Sequence, residues 1–354
     1  MKIALFTIWH IGNFGAELQT YATCKVLQNL GAEVILVDYR LDNYLGKSKI
    51  KKSIRKLLNA VTYSNLNFSL FWRKHFSNKI RYRTLKDLKK MPPLADVYMV
   101  GSDQVWNPTI TKDSFDVFFL NFWEKGIKKV SYASSFGFSA WLQPCEITDI
   151  VKKCLNDFQK LSCREITGVK ILRETFGLQA QNVLDPTLLL NDYKDLIGNT
   201  GKDKDLVYYP LSPNIRIENL CKTIGGEIGL KVVNVNHRID IGPYNVFRTP
   251  IKTWLSKIAN AKLVVTSSFH GLTMCIVHKR QFVIVMEDKL ILDRGSRVVD
   301  LLHLLNLKDR LFFSCDDVIK SRVWEQEIDY NRVYSILEIE RSNSYIYLEE
   351  IINL

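Results

Sequence analysis

The chain has 354 residues, more than one ordinary core usually holds and a natural length for two domains. Its 47% hydrophobic and 24% charged residues make a globular composition, and no apolar run approaches the ~20 residues of a membrane-crossing helix. Forty-nine Lys and Arg against 37 Asp and Glu leave a formal charge of +12, while seven cysteines, an odd number without paired or metal-like spacing, fit a reducing compartment rather than a disulfide framework.

Residues 2–8 read as a first buried strand, too short for a secretory signal and without a small-residue cleavage site, so the chain is expected in the cytoplasm. A glycine-containing loop, Trp9-His10-Ile11-Gly12-Asn13-Phe14-Gly15, leads into a helix over 16–30, and 33–39 is a second strand. This is a βαβ unit opening a doubly wound parallel sheet. The third glycine of a dinucleotide loop is missing, so the turn points to a ligand-facing loop and not to a nucleotide. Residues 43–90 look like a basic helical insertion. Within it, 47–58 interleaves lysines and an arginine with aliphatic residues, a pattern that suits an anionic membrane surface; a merely solvated basic face is the alternative. No zinc finger, RNP sequence or helix-turn-helix supports nucleic acid as the partner.

Strands are expected over 96–100, 129–133 and 161–165, with helices over 148–161 and 168–176, the latter closed by Gly177. The polar loop Gly101-Ser102-Asp103-Gln104-Val105-Trp106-Asn107-Pro108 follows a strand's carboxyl end, where open α/β sheets place ligands. Asp103, Gln104 and Asn107 are candidates to grip hydroxyls, and Trp106 to offer a flat face to a sugar; a self-satisfied turn is the alternative. Arg164, at a strand exit, is a candidate bidentate anion clamp, or else an ion pair with Glu165 or a neighbour. His10 and Asn13 are candidates for acceptor contact, with a structural role in the loop as the alternative. After a polar stretch at 200–204 the alternation restarts: strands at 206–209, 231–234, 263–266 and 281–286, helices at 217–228, 251–260 and 298–305, and a last helix over 330–352. Leu263-Val264-Val265-Thr266-Ser267-Ser268-Phe269-His270-Gly271 reads as strand, tight turn and helix start, placing His270 where the helix dipole favours an anion and a neutral imidazole can exchange a proton. Capping or filling a polar gap is the plainer role. No carboxylate-histidine cluster has metal spacing, so no metal is expected.

Taken together, these motifs resemble the polysaccharide pyruvyltransferase family over nearly the whole chain. The matching stretches are Asn13, Gly15, Ala16, Leu18, Gln19, Tyr21 and Ala22; Gly101 to Asn107; Tyr132-Ala133-Ser134-Ser135-Phe136-Gly137; Ser162-Cys163-Arg164-Glu165; Leu184-Asp185-Pro186-Thr187; and Ser267-Ser268-Phe269-His270-Gly271. The resemblance implies an α/β fold of two Rossmann-like doubly wound domains facing across a cleft, called GT-B. The first domain would span 1–198, on the acceptor side, and the second 199–325, with the donor and catalytic turn; the helix of 326–354 would pack back on the first. It further implies transfer of pyruvyl from phosphoenolpyruvate, a co-substrate and not a cofactor, to two hydroxyls of a sugar, forming a cyclic ketal and releasing phosphate. His270 would be catalytic, and Arg164, Arg297 or Arg294, and Ser268 would bind the donor. The acceptor would be a hexose, galactose-type or other, of a lipid-linked surface polysaccharide precursor, with the enzyme peripheral on the inner membrane face; the oligomeric state is left open. Two other readings remain at this point: a GT-B glycosyltransferase using a nucleotide sugar, and a non-catalytic polysaccharide-binding component.

Overall fold

The structure is a computed structural model that describes residues 1–9, 12–39, 63–122, 126–197, 204–212, 214–235, 238–241, 244–247, 249–287 and 296–354, with no side-chain account of 63–67, 238–241, 244–247 and 296. The basic stretch 47–58, His10 and Arg294 lie outside the described residues. The chain divides into two compact units. Unit 1 comprises Met1–Lys56, Leu70–Leu189 and Glu340–Leu354, and unit 2 comprises Leu57–Ser69 and Leu190–Ile339.

In chain order, unit 1 contains β1 (Lys2–Phe6), α1 (Phe14–Asn29), β2 (Glu33–Tyr39), the end of α2 (Tyr63–His75), β3 (Lys79–Tyr82), α3 (Leu85–Lys90), β4 (Val97–Val100), β5 (Lys128–Ser131), α4 (Cys145–Asn156), β6 (Phe158–Lys160), β7 (Ser162–Cys163), α5 (Ile166–Phe176) and β8 (Gln181–Asn182). Six strands form one parallel sheet in the order β3-β2-β1-β4-β5-β6. The order reverses direction between β1 and β4, so the crevice at their carboxyl ends is the topological switch point where such sheets bind ligands. β1 and β4 are near-continuous apolar runs because helices cover both sheet faces. Asn13 starts α1 by accepting the Gly15 and Ala16 amides, and left-handed Gly177 (φ 73°) ends α5.

Two expectations are corrected here. The insertion is not purely helical, since β3 lies within it. Its charged Lys79 and Arg81 alternate with Ile80 and Tyr82 on an edge strand, and Arg81 pairs with buried Asp38 at 2.6 Å, so the charges obscure the strand pattern. The helix read over 148–161 stops at Asn156, because Phe158 opens β6 and pairs in register with Lys129 of β5.

Unit 2 contains β9 (Leu206–Tyr209), α6 (Ile215–Glu227), β10 (Val232–Asn234), the antiparallel hairpin β11 (Arg238–Ile241) and β12 (Tyr244–Phe247), α7 (Ile251–Asn260), β13 (Leu263–Thr266), α8 (Phe269–Val277), β14 (Gln281–Val285), α9 (Ser296–Leu304), β15 (Leu311–Phe312) and α10 (Cys315–Ser321). Its parallel sheet runs β10-β9-β13-β14-β15, with the switch point between β9 and β13. The last helix, α11 (Tyr330–Ile352), begins in unit 2 and ends in unit 1. In unit 2 the hydroxyls of Tyr330 and Tyr334 donate to the carbonyls of Cys275 and Val277 at 3.2 and 2.9 Å. In unit 1, Arg341 donates to the Leu188 carbonyl at 2.6 Å and Tyr347 to that of Ser131 at 2.8 Å. No helix among the described residues is long and apolar enough to cross a membrane.

Candidate active site

Each unit gathers its candidate residues at its own switch point. In unit 2 the strand β13 ends at Thr266, whose hydroxyl donates to the Tyr209 carbonyl at 2.5 Å and accepts the Ser268 amide at 3.0 Å. The Ser267 hydroxyl accepts the Leu211 amide at 3.0 Å, which ties the loop after β9 to the loop after β13. Ser268 caps α8 by accepting from Gly271 at 3.2 Å. These bonds fix the first turn of α8, and His270 is the second residue of that helix rather than part of a turn before it. Its imidazole is buried and lies edge-on to the Phe269 ring, with centroids 5.2 Å apart. Arg297, in α9, sets its guanidinium over the same Phe269 ring at 5.6 Å. A helix N-terminus, an imidazole and a guanidinium therefore share one neighbourhood, a combination able to bind an anion and move a proton.

In unit 1 the loop after β4 is folded in, not held out. Trp106 is fully buried, donates its indole N–H to the Phe118 carbonyl at 3.0 Å and stacks on Phe119 at 5.9 Å, so it is core and not a sugar platform. Asn107 is fully buried as well: its Oδ1 caps the turn at the Thr109 amide (3.0 Å) and its amide donates to Gln104 Oε1 (2.7 Å). The self-satisfied turn holds for both. Gly137, at φ 72°, fits against that pair, since a Cβ there would lie 2.4 Å from Gln104 Oε1. Asn13 serves α1 as its cap.

Arg164 is also corrected. Its guanidinium has no exposed surface and meets three carboxylates: Asp185 at 2.8 Å, Asp103 at 3.2 Å and Glu165 at 3.6 Å. Burial alone would lower its pKa, but Asp185, Asp103 and Glu165 together hold it above its ordinary value. A cation so enclosed is an ion-pair centre, not a clamp held open for a substrate anion. Asp185 is bound in turn by the hydroxyls of Ser102 (2.8 Å) and Thr187 (2.6 Å) and by the Thr187 amide (3.0 Å). The sequence marks Asp185-Pro186 as a structural turn and gives no sign that Asp185 anchors Arg164. Cys163 is no nucleophile candidate, because burial and then Glu165 push its thiol well above the usual range. Sequence reading also missed Glu17, a wholly buried carboxylate in the first turn of α1 that accepts the Trp72 indole N–H at 2.6 Å.

The chain is similar over nearly its full length to solved structures of nucleotide-sugar enzymes. One is the MnaA–UDP co-structure from S. aureus, with 12% identity, 99% of this chain and 94% of that chain covered, and a TM-score of 0.52. Another is the UDP-GlcNAc 2-epimerase of Methanocaldococcus jannaschii in complex with UDP-GlcNAc and UDP, with 13% identity, coverage of 96% and 99%, and a TM-score of 0.51. At such identity the likeness shows a shared GT-B-type fold alone. No curated protein sequence matches the chain. The family model for polysaccharide pyruvyl transferase matches residues 13–289, and the chain is therefore a transferase belonging to the polysaccharide pyruvyl transferase family.

Proposed function

We propose that the enzyme moves pyruvyl from phosphoenolpyruvate onto two hydroxyls of a hexose, galactose-type by preference, in a lipid-linked surface polysaccharide precursor, forming a ketal and releasing phosphate. The observation that carries this reading is the arrangement of His270 and Arg297 about Phe269 at the start of α8, in a member of this family. Phosphoenolpyruvate carries a carboxylate and a phosphate, and a guanidinium binds such groups through paired hydrogen bonds. Reaction at its C2 needs a proton delivered to the C3 methylene, a task suited to the imidazole of His270. The first sugar hydroxyl adds at C2, phosphate leaves, and the second hydroxyl closes the ketal. Ser268, Arg297 and Arg294 are assigned to the donor; acceptor contacts are assigned to the loop after β4 and to the His10–Asn13 segment. No cofactor or metal takes part, the site of action is the cytoplasmic face, and the surplus basic charge supports attachment to an anionic membrane surface.

The solved neighbours are named as UDP complexes, so a nucleotide-sugar donor is the second reading. Incubation with phosphoenolpyruvate and a galactoside, followed by phosphate release and mass analysis of the sugar, separates the two. Phosphate release with a pyruvate mass increment on the sugar supports the ketal. Glycosyl transfer from a UDP-sugar, with no phosphate released from phosphoenolpyruvate, would replace it.

A further inference from the structure

Within the buried charge cluster of unit 1 one member differs from the rest. The side chains of Arg164, Asp185 and Glu165 are at most 1% exposed, whereas that of Asp103 is 16% exposed. Asp103 stands three residues beyond the end of β4, at the carboxyl end of the sheet beside β1, which is the switch point of the unit. Its backbone is left-handed at φ 75° and is fixed there by its own carbonyl, which accepts the amides of Val105 at 2.8 Å and Ser135 at 3.0 Å. That conformation costs a non-glycine residue energy and sets the direction in which its carboxylate leaves the chain.

From this we infer that Arg164 is a positioning residue, one that holds Asp103 as the acceptor of a sugar-hydroxyl hydrogen bond. The inference rests on the pyruvyl-transfer reading for the identity of the sugar. The guanidinium forks: Nη1 is anchored on Asp185 at 2.8 Å, and Nη2 reaches Asp103 at 3.2 Å. Anchored at one end by a carboxylate that Ser102 and Thr187 already fix, it orients the other carboxylate, the one member of the cluster with surface to offer a ligand. A lysine cannot replace it, since an ammonium lacks the planar fork that serves two carboxylates at set angles. Arg164 thereby belongs to acceptor recognition, and donor binding proceeds without it.

The test compares wild type, Asp103→Asn and Arg164→Lys in two separate binding measurements: saturation-transfer NMR with methyl β-galactopyranoside, and phosphorus NMR titration with phosphoenolpyruvate. Asparagine tolerates the left-handed backbone, so Asp103→Asn retains the fold, which circular dichroism verifies. Both variants are expected to bind the galactoside about tenfold more weakly, as loss of a charged hydrogen bond implies, with phosphoenolpyruvate binding within twofold of wild type. The double variant is expected to be no weaker than either single one, because both changes break the same link. Loss of phosphoenolpyruvate binding in Arg164→Lys with galactoside binding retained overturns the proposal and makes Arg164 a donor residue. Wild-type galactoside binding by Asp103→Asn overturns it as well, as does a wild type that binds no galactoside. A wild type that binds the galactoside but not phosphoenolpyruvate defeats the donor assignment of the preceding section, while the sugar titrations still decide this one.

Discussion

Replacing Gly271 by Ala sets two effects of opposite sign against each other. Gly271 is the third residue of α8, and in an unconstrained helix the change to alanine stabilises by about 0.5–1 kcal/mol. Here the new Cβ would lie 2.7 Å from Thr266 Oγ1 and 3.0 Å from the Tyr209 ring. The Thr266 hydroxyl cannot rotate aside freely, because it donates to the Tyr209 carbonyl and accepts the Ser268 amide. Overpacking costs about 1–3 kcal/mol, and each displaced hydrogen bond about 1 kcal/mol. The clash therefore outweighs the propensity gain, for a net loss of about 1–3 kcal/mol. Denaturant unfolding of the wild type and variant measures it, and Thr266→Ala supplies the control: with Oγ1 removed, the added methyl costs little beyond the Thr266→Ala change itself. Phosphate release is expected to fall about 10²-fold in Gly271→Ala, since His270 is the adjoining residue and small displacements in a reacting site are costly. Unchanged or increased stability, or additive effects of the two substitutions, would refute the claim that a pinned hydroxyl requires glycine at this position.

Much of the fold is legible in the sequence because a parallel sheet covered on both faces demands continuous apolar strands. β2, β9, β13, α7 and α11 fall on their expected residues. What escaped reading was either charged or short. β3 hides its alternation behind Lys79 and Arg81, and β15 has only two residues. At the candidate site the local pattern Ser268-Phe269-His270-Gly271 shows where a strand gives way to a helix, so His270 falls at its switch point. Side-chain destination was less legible. Trp106 sits among Asp103, Gln104 and Asn107 in the sequence and looks solvent-facing, yet the loop turns inward and its ring packs between Phe119 and Phe136. Arg164 and its anchor Asp185 are 21 residues apart, and Asp103 lies 61 residues away from Arg164. Such pairings arise only when β4, β5 and β7 bring their carboxyl ends together, which no local spacing encodes.

Three further outcomes follow from the geometry. His270→Ala should abolish phosphate release while leaving the unfolding midpoint nearly unchanged, and retention of near-normal turnover would remove it from the chemistry. Trp106→Ala should destabilise unit 1 by about 3–5 kcal/mol as a fully buried ring is lost; a stable variant with weakened sugar binding alone would restore the platform role. His278, at the end of α8, has its pKa lowered to about 4, chiefly by burial and then by Arg280, with Asp192 opposing. The fold therefore favours the neutral ring. Above the ordinary value of about 6.5 neither state binds the proton and stability is unaffected; as pH falls below it, the unfolded chain takes up a proton that the native ring refuses. The resulting loss is about 2 kcal/mol at pH 5 and levels off below pH 4. Denaturant unfolding of wild type and His278→Asn at pH 7.5 and pH 5 isolates this contribution, because asparagine does not titrate: the wild type should lose more stability between the two conditions than the variant, and equal losses would mean that His278 is protonated as readily in the folded chain as in the unfolded one.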